Sequence, residues 1–287
     1  MGFRVVVIKN KSKLDLKMNY LVCRGEIDTR VFLPEIETLI LESTSISLTT
    51  ALISELIKNK VKIIFCDEKH NPESEVIPYY SSYNCSKKIK QQISWNEEIK
   101  GFVWREIIKE KIKNQANLLL ENKKFEEYEM LKDYENNVSF NDITNREGHS
   151  AKVYFNAIFG LDFARREGGF YNSALNYGYA ILLSAFNREI TRLGYLTGLG
   201  IWHKNEFNNF NLSSDLMEPF RPLIDKIVIN LEENDVEYKL KILSIFEQKV
   251  KINDKMQFFD NAVAIYLQSV FDALNNNDIG LIKFYEL

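Results

Sequence analysis

The stretch D-E-K-H-N-P-E-S-E-V-I-P-Y-Y-S-S-Y-N-C-S, residues 67–86, divides the chain into two kinds of sequence. Pro72, Pro78, serines and mixed charge mark a connection rather than the interior of an element. Before it come short apolar runs at 3–8, 14–16, 20–23, 31–33 and 39–41, rich in β-branched residues and separated by polar turns. Strands this closely spaced predict a small sandwich or meander, not βαβ units. One helix is expected over 48–58, where Leu48, Leu52 and Leu56 recur at helical spacing alongside Ala51, Ile53 and Ile57. The run 61–66 then closes the region as a buried strand. After residue 86 the period becomes helical, with helices expected over 87–122, 126–134, 151–163, 173–193, 236–246 and 254–274. The reading is an α+β protein. A small N-terminal β-sandwich-like domain (1–70) is joined by a linker (71–86) to a larger all-α domain (87–287).

The whole chain has 287 residues, 45% hydrophobic and 27% charged, which is enough for a real core and typical of a globular protein. A net charge of −3 neither favours nor excludes nucleic acid, since a local patch matters more than the sum. Cys23, Cys66 and Cys85 have no CxxC spacing and read as reduced thiols. The first apolar run is too short for a signal peptide, and no stretch is long enough to span a membrane. Prokaryotic cytoplasm is the expected compartment.

Between residues 87 and 124 there are ten Lys and Arg against five Glu. That excess suits a helix tracking a phosphate backbone, or else a solvated face with i,i+4 pairs. Three further pieces carry chemistry. N-R-E-G-H-S-A-K-V-Y-F-N (145–156) places Glu147 just before an apolar helix, where an acid is ordinarily a cap or dipole partner. T-G-L-G-I-W (197–202) makes a tight turn into His203; a lone G-x-G with no Lys-Ser/Thr behind it is not a phosphate loop. S-D-L-M-E-P-F-R-P (214–222) reads as a helix start capped by Ser213 or Ser214, with Asp215 and Glu218 on one face. Carboxylate, imidazole and carboxylate together suit Mg²⁺ or Mn²⁺ better than zinc or copper. His149 and His70 are weaker ligand candidates.

N-R-E-G-H-S-A-K-V-Y-F, a following His, and D-L-M-E-P-F-R-P-L-I-D in that order resemble the CRISPR-associated integrase family, the first-numbered Cas adaptation protein. G-F-R-V-V-V-I, L-E-S-T-S-I-S-L-T-T, I-I-F-C-D and P-Y-Y look like its type II branch. The resemblance covers essentially the whole chain. It implies an N-terminal β domain that dimerises, a helical catalytic domain, and metal ligands at Glu147, His203 and Glu218, with Asp215 in support. Some members carry Asp where this chain has Glu218. The implied reaction is transesterification, in which a prespacer 3′-OH attacks a repeat phosphodiester with Mg²⁺ or Mn²⁺ as cofactor. Implied partners are double-stranded and branched DNA, a second copy of the chain, and the small second Cas protein in a heterohexameric complex. A type II context adds the effector nuclease and an accessory DNA-clamp protein. Arg146, Lys152, Lys204 and Arg221 adjoin the ligands and are the candidate phosphate contacts. Two other readings stand beside the integrase: a stand-alone nuclease acting on branched DNA, and a non-catalytic DNA scaffold using the basic segment 87–124.

Overall fold

A computed structural model describes the chain except residues 1, 3, 26 and 79–83. Phe3 and the tyrosines of P-Y-Y therefore lie outside the described residues. The chain divides into two compact units, Met1–Tyr79 and Tyr80–Leu287.

The first unit contains β1 (Arg4–Ile8), β2 (Lys13–Lys17), β3 (Tyr20–Arg24), β4 (Thr29–Phe32), β5 (Ile36–Leu41), β6 (Ser47–Leu48), α1 (Thr50–Lys58), β7 (Lys62–Cys66) and β8 (Pro72–Glu75). One sheet has the order β4-β3-β2-β6, the other β1-β5-β7-β8. Met18 and Asn19 both have positive φ, the backbone a two-residue hairpin between β2 and β3 requires. The sheets share a core: Leu14 and Leu21 come from one, Ile36, Leu39 and Ile63 from the other, and Leu52 and Leu56 from α1. Two expectations need correcting. β5 and β7 pair in parallel with α1 between them, so a βαβ unit is present, and β1 also runs parallel to β5. Within the expected linker, Pro72–Glu75 is a strand paired antiparallel to β7, and Cys85 already begins a helix.

The second unit contains α2 (Cys85–Ile93), α3 (Glu97–Glu121), α4 (Phe125–Asn136), α5 (Arg146–Phe159), α6 (Phe170–Arg192), α7 (Asn211–Leu216), α8 (Arg221–Ile229), α9 (Tyr238–Leu243), β9 (Lys249–Ile252), β10 (Lys255–Phe258), α10 (Phe259–Asn276) and β11 (Tyr285–Glu286). It is helical with one addition to the expected all-α domain, a three-stranded sheet in the order β10-β9-β11. The segment expected to be a single helix from 254 instead opens as a hairpin. Asn253 and Asp254 take positive φ at its tip, and the helix starts only at Phe259.

The expected helix over 87–122 is two. The chain breaks at residues 94–96, where Trp95 turns inward against Tyr195 and Phe271 and donates to Asn275 Oδ1 (2.9 Å). The Asn96 side chain then caps α3 by accepting from the Glu98 N–H (2.6 Å). α3 packs on α4, α5, α8 and α10 and is buried around most of its circumference. A helix covered on all sides is a central strut, so the basic excess of 87–124 is not one exposed stripe along it.

Candidate metal centre

Glu147 is set by the turn ahead of α5. Asn141, Asp142 and Asn145 all have positive φ there, a conformation Asn and Asp tolerate best among residues with a side chain. The Asp142 carboxylate accepts from the N–H groups of Arg146 (2.8 Å) and Glu147 (2.9 Å), and Asn145 Oδ1 accepts from Gly148 N–H (3.3 Å). The helix therefore begins at Arg146, five residues earlier than its apolar pattern predicts.

Glu218 opens a 3-10 turn, Glu218–Phe220, between α7 and α8. Two donors fix that turn through the Pro219 carbonyl: Asn114 Nδ2 (3.1 Å) and Tyr285 Oη (2.9 Å). Ser213 and Ser214 lie inside α7 and do not cap it, and Glu218 is outside the helix that holds Asp215. The expected shared helix face is therefore absent, and the two acids do different things.

Lys111 joins the two glutamates. Its ammonium on α3 is 2.6 Å from Glu147 Oε1 and 2.5 Å from Glu218 Oε2, and the residue is only 6% exposed. Glu218 Oε1 also pairs with Arg221 Nη2 (2.9 Å). The Arg221 guanidinium lies 4.7 Å over the Tyr179 ring, whose hydroxyl donates to Asp225 at 2.5 Å. Burial pulls the Lys111 ammonium down, but Glu147 and Glu218 outweigh it and the net direction is up. In return Lys111 holds the Glu147 carboxyl below the usual range.

Asp215 organises His203. This fully buried carboxylate accepts from the N–H groups of Ile201 (2.8 Å), Trp202 (2.9 Å) and His203 (3.2 Å), and from His203 Nδ1 (2.5 Å). That bond leaves Nε2 as the nitrogen available to a ligand. The Asp215 bond raises the imidazole above its ordinary value, with smaller upward pulls from Glu218 and Glu147. Buried Trp104 lies under the approach, stacked on Trp202 and edge-on to His203. Gly200 is required by close packing, since a Cβ there would lie 2.4 Å from the His203 carbonyl and 2.8 Å from Asp215 Oδ2.

Among the described residues no three His, Cys, Asp or Glu side chains form a ready metal cage. Glu147 and Glu218 meet through Lys111, and His203 is oriented separately by Asp215. The donor chemistry still fits a hard divalent ion: two carboxylates and one imidazole nitrogen, with the Lys111 ammonium marking the point between the carboxylates where positive charge is favoured. Of the candidate phosphate contacts, Arg221 is committed to Glu218 and Tyr179. Arg146 lies over Tyr134, Lys204 pairs with Glu97 (3.1 Å), and Lys152 is exposed. His149 is exposed and sits near the Tyr134 ring. His70 belongs to the first unit, with Nδ1 against the Glu42 carbonyl.

Sequence reading misses Lys111, Trp104, Tyr179 and Gln92. The only signal for Lys111 is its register, one turn beyond Ile107 and Ile108 on the buried side of α3. Gln92 holds the loop toward His203 by donating to the carbonyls of Leu196 (2.9 Å) and Leu199 (3.0 Å) and accepting from Leu196 N–H (2.9 Å). Beside this loop is an open groove of about 770 Å³, lined by Gln92, Lys100, His203, Lys204, Asn208 and Asn211 among others.

Fold and site define a class of protein with a β-sandwich unit and a helical unit that carries a lysine-bridged carboxylate pair and an imidazole oriented by a buried acid. The model of the family CRISPR associated protein Cas1 matches residues 5–249. A CRISPR-associated endonuclease Cas1 of Neisseria meningitidis serogroup C is 36% identical over 235 residues, 81% of this chain and 77% of that protein. The chain belongs to the Cas1 family. Among solved structures, a chain of a casposase bound to integration product aligns at TM-score 0.77 with 20% identity, over 97% of this chain and 92% of its own length. A chain of a Cas6-RT-Cas1--Cas2 complex aligns at TM-score 0.77 and 18% identity, over 100% of this chain but 36% of that much longer one. At these identities the two structures speak for the fold.

Proposed function

We propose that this chain is a divalent-metal-dependent DNA integrase and endonuclease of CRISPR adaptation. It inserts short prespacer DNA into the CRISPR array by 3′-OH attack on repeat phosphodiesters. The observation that carries the reading is that Glu147 and Glu218, from separate elements of a Cas1-family chain, share one buried cation. Glu147, Glu218 and His203 Nε2 would hold Mg²⁺ or Mn²⁺. When bound, the ion supplies charge neutralisation at the phosphoryl and leaving oxygens. Asp215 fixes the tautomer and direction of His203, and Asn114 and Tyr285 fix the turn that presents Glu218. No covalent enzyme intermediate is needed, and much of the rate comes from orienting two DNA ends.

The partners in this reading are duplex and branched DNA, a second copy of the chain through the β domain, and the small second Cas protein in a heterohexamer. The type II effector nuclease and the DNA-clamp protein complete the set. The compartment is prokaryotic cytoplasm; among the described residues no helix is long and apolar enough to cross a membrane. The test is a half-site integration assay with Mn²⁺ or Mg²⁺, the small partner and a leader–repeat plasmid. Strand transfer should require the partner and be lost in Glu147→Ala, His203→Ala and Glu218→Ala. Wild-type transfer by any of the three would remove that residue from the site. Cleavage of branched DNA with no strand transfer would favour a stand-alone nuclease.

A further inference from the structure

We propose that Lys111 is the resident counter-cation of the Glu147–Glu218 pair, a positioning residue that makes the site take up its divalent ion together with DNA phosphate rather than ahead of it. The inference rests on the metal-site reading above and adds to it the order of assembly.

The first observation is charge balance. Two carboxylates, Glu147 and Glu218, face two cations: Lys111 is at ion-pair distance from both, and Arg221 from Glu218. The cluster is neutral as it stands; Glu218 and Lys111 are removed from water, while Glu147 and Arg221 keep about a quarter of their side chains open to it. Glu218 is 4% exposed at its side chain and Lys111 7%. A buried ammonium is tolerated because it is paired, and the same holds for the carboxylates.

The second observation is that Lys111 has little room to leave. It projects from the largely buried α3, and Glu110, Ile112, Asn114 and Gln115 beside it are buried. A divalent ion arriving on the same two carboxylates therefore meets a fixed positive charge a few ångströms away, with Arg221 behind Glu218. Like charges at that range in a poorly hydrated site repel strongly. A DNA phosphodiester brings one negative charge for each phosphate, so ion and phosphate arriving together restore the balance that the ion alone would upset. By linkage, whatever favours the ion in the presence of DNA favours DNA in the presence of the ion by the same factor.

A lysine serving only as packing would not set that factor. The test measures it by isothermal titration of Mn²⁺ into the full chain, with and without a short DNA duplex, for wild type, Lys111→Met, Glu147→Gln and Glu218→Gln. In wild type, DNA should tighten Mn²⁺ by about tenfold or more. Lys111→Met should bind Mn²⁺ about tenfold or more tighter than wild type without DNA, and its DNA effect should shrink to about twofold or less. Wild-type affinity and wild-type coupling in Lys111→Met would overturn the proposal while leaving the metal site intact. Unchanged Mn²⁺ binding in both glutamate variants would instead overturn the metal-site reading on which it rests. Should Lys111→Met fail to fold in chelator, thermal melts followed by circular dichroism decide. Recovery on adding Mn²⁺ shows the ion taking the lysine's place; a variant that stays unfolded at saturating Mn²⁺ refutes the idea.

Discussion

The two units bury different things. Among the described residues the core of the first is aliphatic, with Leu14, Leu21, Leu39, Leu52 and Leu56 all fully enclosed; the charged side chains buried there are Glu42 and Lys62, the latter paired with Glu75 at 3.5 Å. The second, over the described residues, encloses Glu110, Lys111, Asp142, Glu189, Asp215, Glu218 and Asp225 as well as its apolar core. Charged side chains almost never go fully inside unless paired. Their concentration in one unit includes the pairings that order the site, Lys111 with Glu147 and Glu218 and Asp215 with His203. The aliphatic unit answers to volume, the helical unit to charge.

That contrast can be broken at several points. The largest effect is expected from Glu147→Gln and Glu218→Gln, which keep shape and remove charge. Strand transfer in the integration assay should fall about a thousandfold or more, and a modest fall would mean the buried charges are structural only. Next is Leu39→Ala in the sandwich, which should cost about 2–5 kcal/mol in denaturant unfolding while leaving the Mn²⁺ affinity of folded protein unchanged. A changed affinity would mean that the two units are not separable in this way.

Asp225 gives the third. Burial raises its carboxyl to about 6 despite the hydrogen bond from Tyr179 and the charges of Arg221 and Arg165. The folded state then holds a proton that the unfolded chain has already released. Stability falls as pH rises from the unfolded value through about 6, by roughly 2–3 kcal/mol in all. Asp225→Asn should flatten that segment of the melting temperature against pH profile, and parallel profiles would rule out the carboxyl as its source. The smallest effect is expected from Gly200→Ala. A Cβ pressed on the His203 carbonyl and Asp215 should displace the imidazole and slow strand transfer about tenfold, with less change in melting temperature than Leu39→Ala.

Much of this was legible beforehand. The strands of the sandwich and most helices of the second unit follow from period and turn residues; of the acids and imidazole the sequence singles out, the structure joins Glu147 to Glu218 through Lys111 and Asp215 to His203. The parallel β5–α1–β7 unit escaped because I-E-T-L-I-L and K-I-I-F-C are near-continuous apolar runs, the pattern of strands covered on both faces, and say nothing of direction. β10 falls inside the helix expected from 254, although Asn253–Asp254 between V-K-I and K-M-Q-F is a hairpin signal. Lys111 escaped for a deeper reason. A lysine in a basic stretch reads as surface, and only the positions of Glu147 and Glu218, brought from far along the chain, make it an interior charge.

The hydrogen bond from Tyr285 to the Pro219 carbonyl has a consequence for how the molecule is made. The turn bearing Glu218 is stapled by a residue from β11, which pairs with β9. On a ribosome, Glu147, His203 and Glu218 all emerge well before Tyr285. A nascent chain can therefore complete its sandwich and most of its helices while the turn that bears Glu218 still lacks this tie. Whatever its helices have already done, a chain released before that tyrosine has emerged would carry the residues of the site without the clamp that orders them.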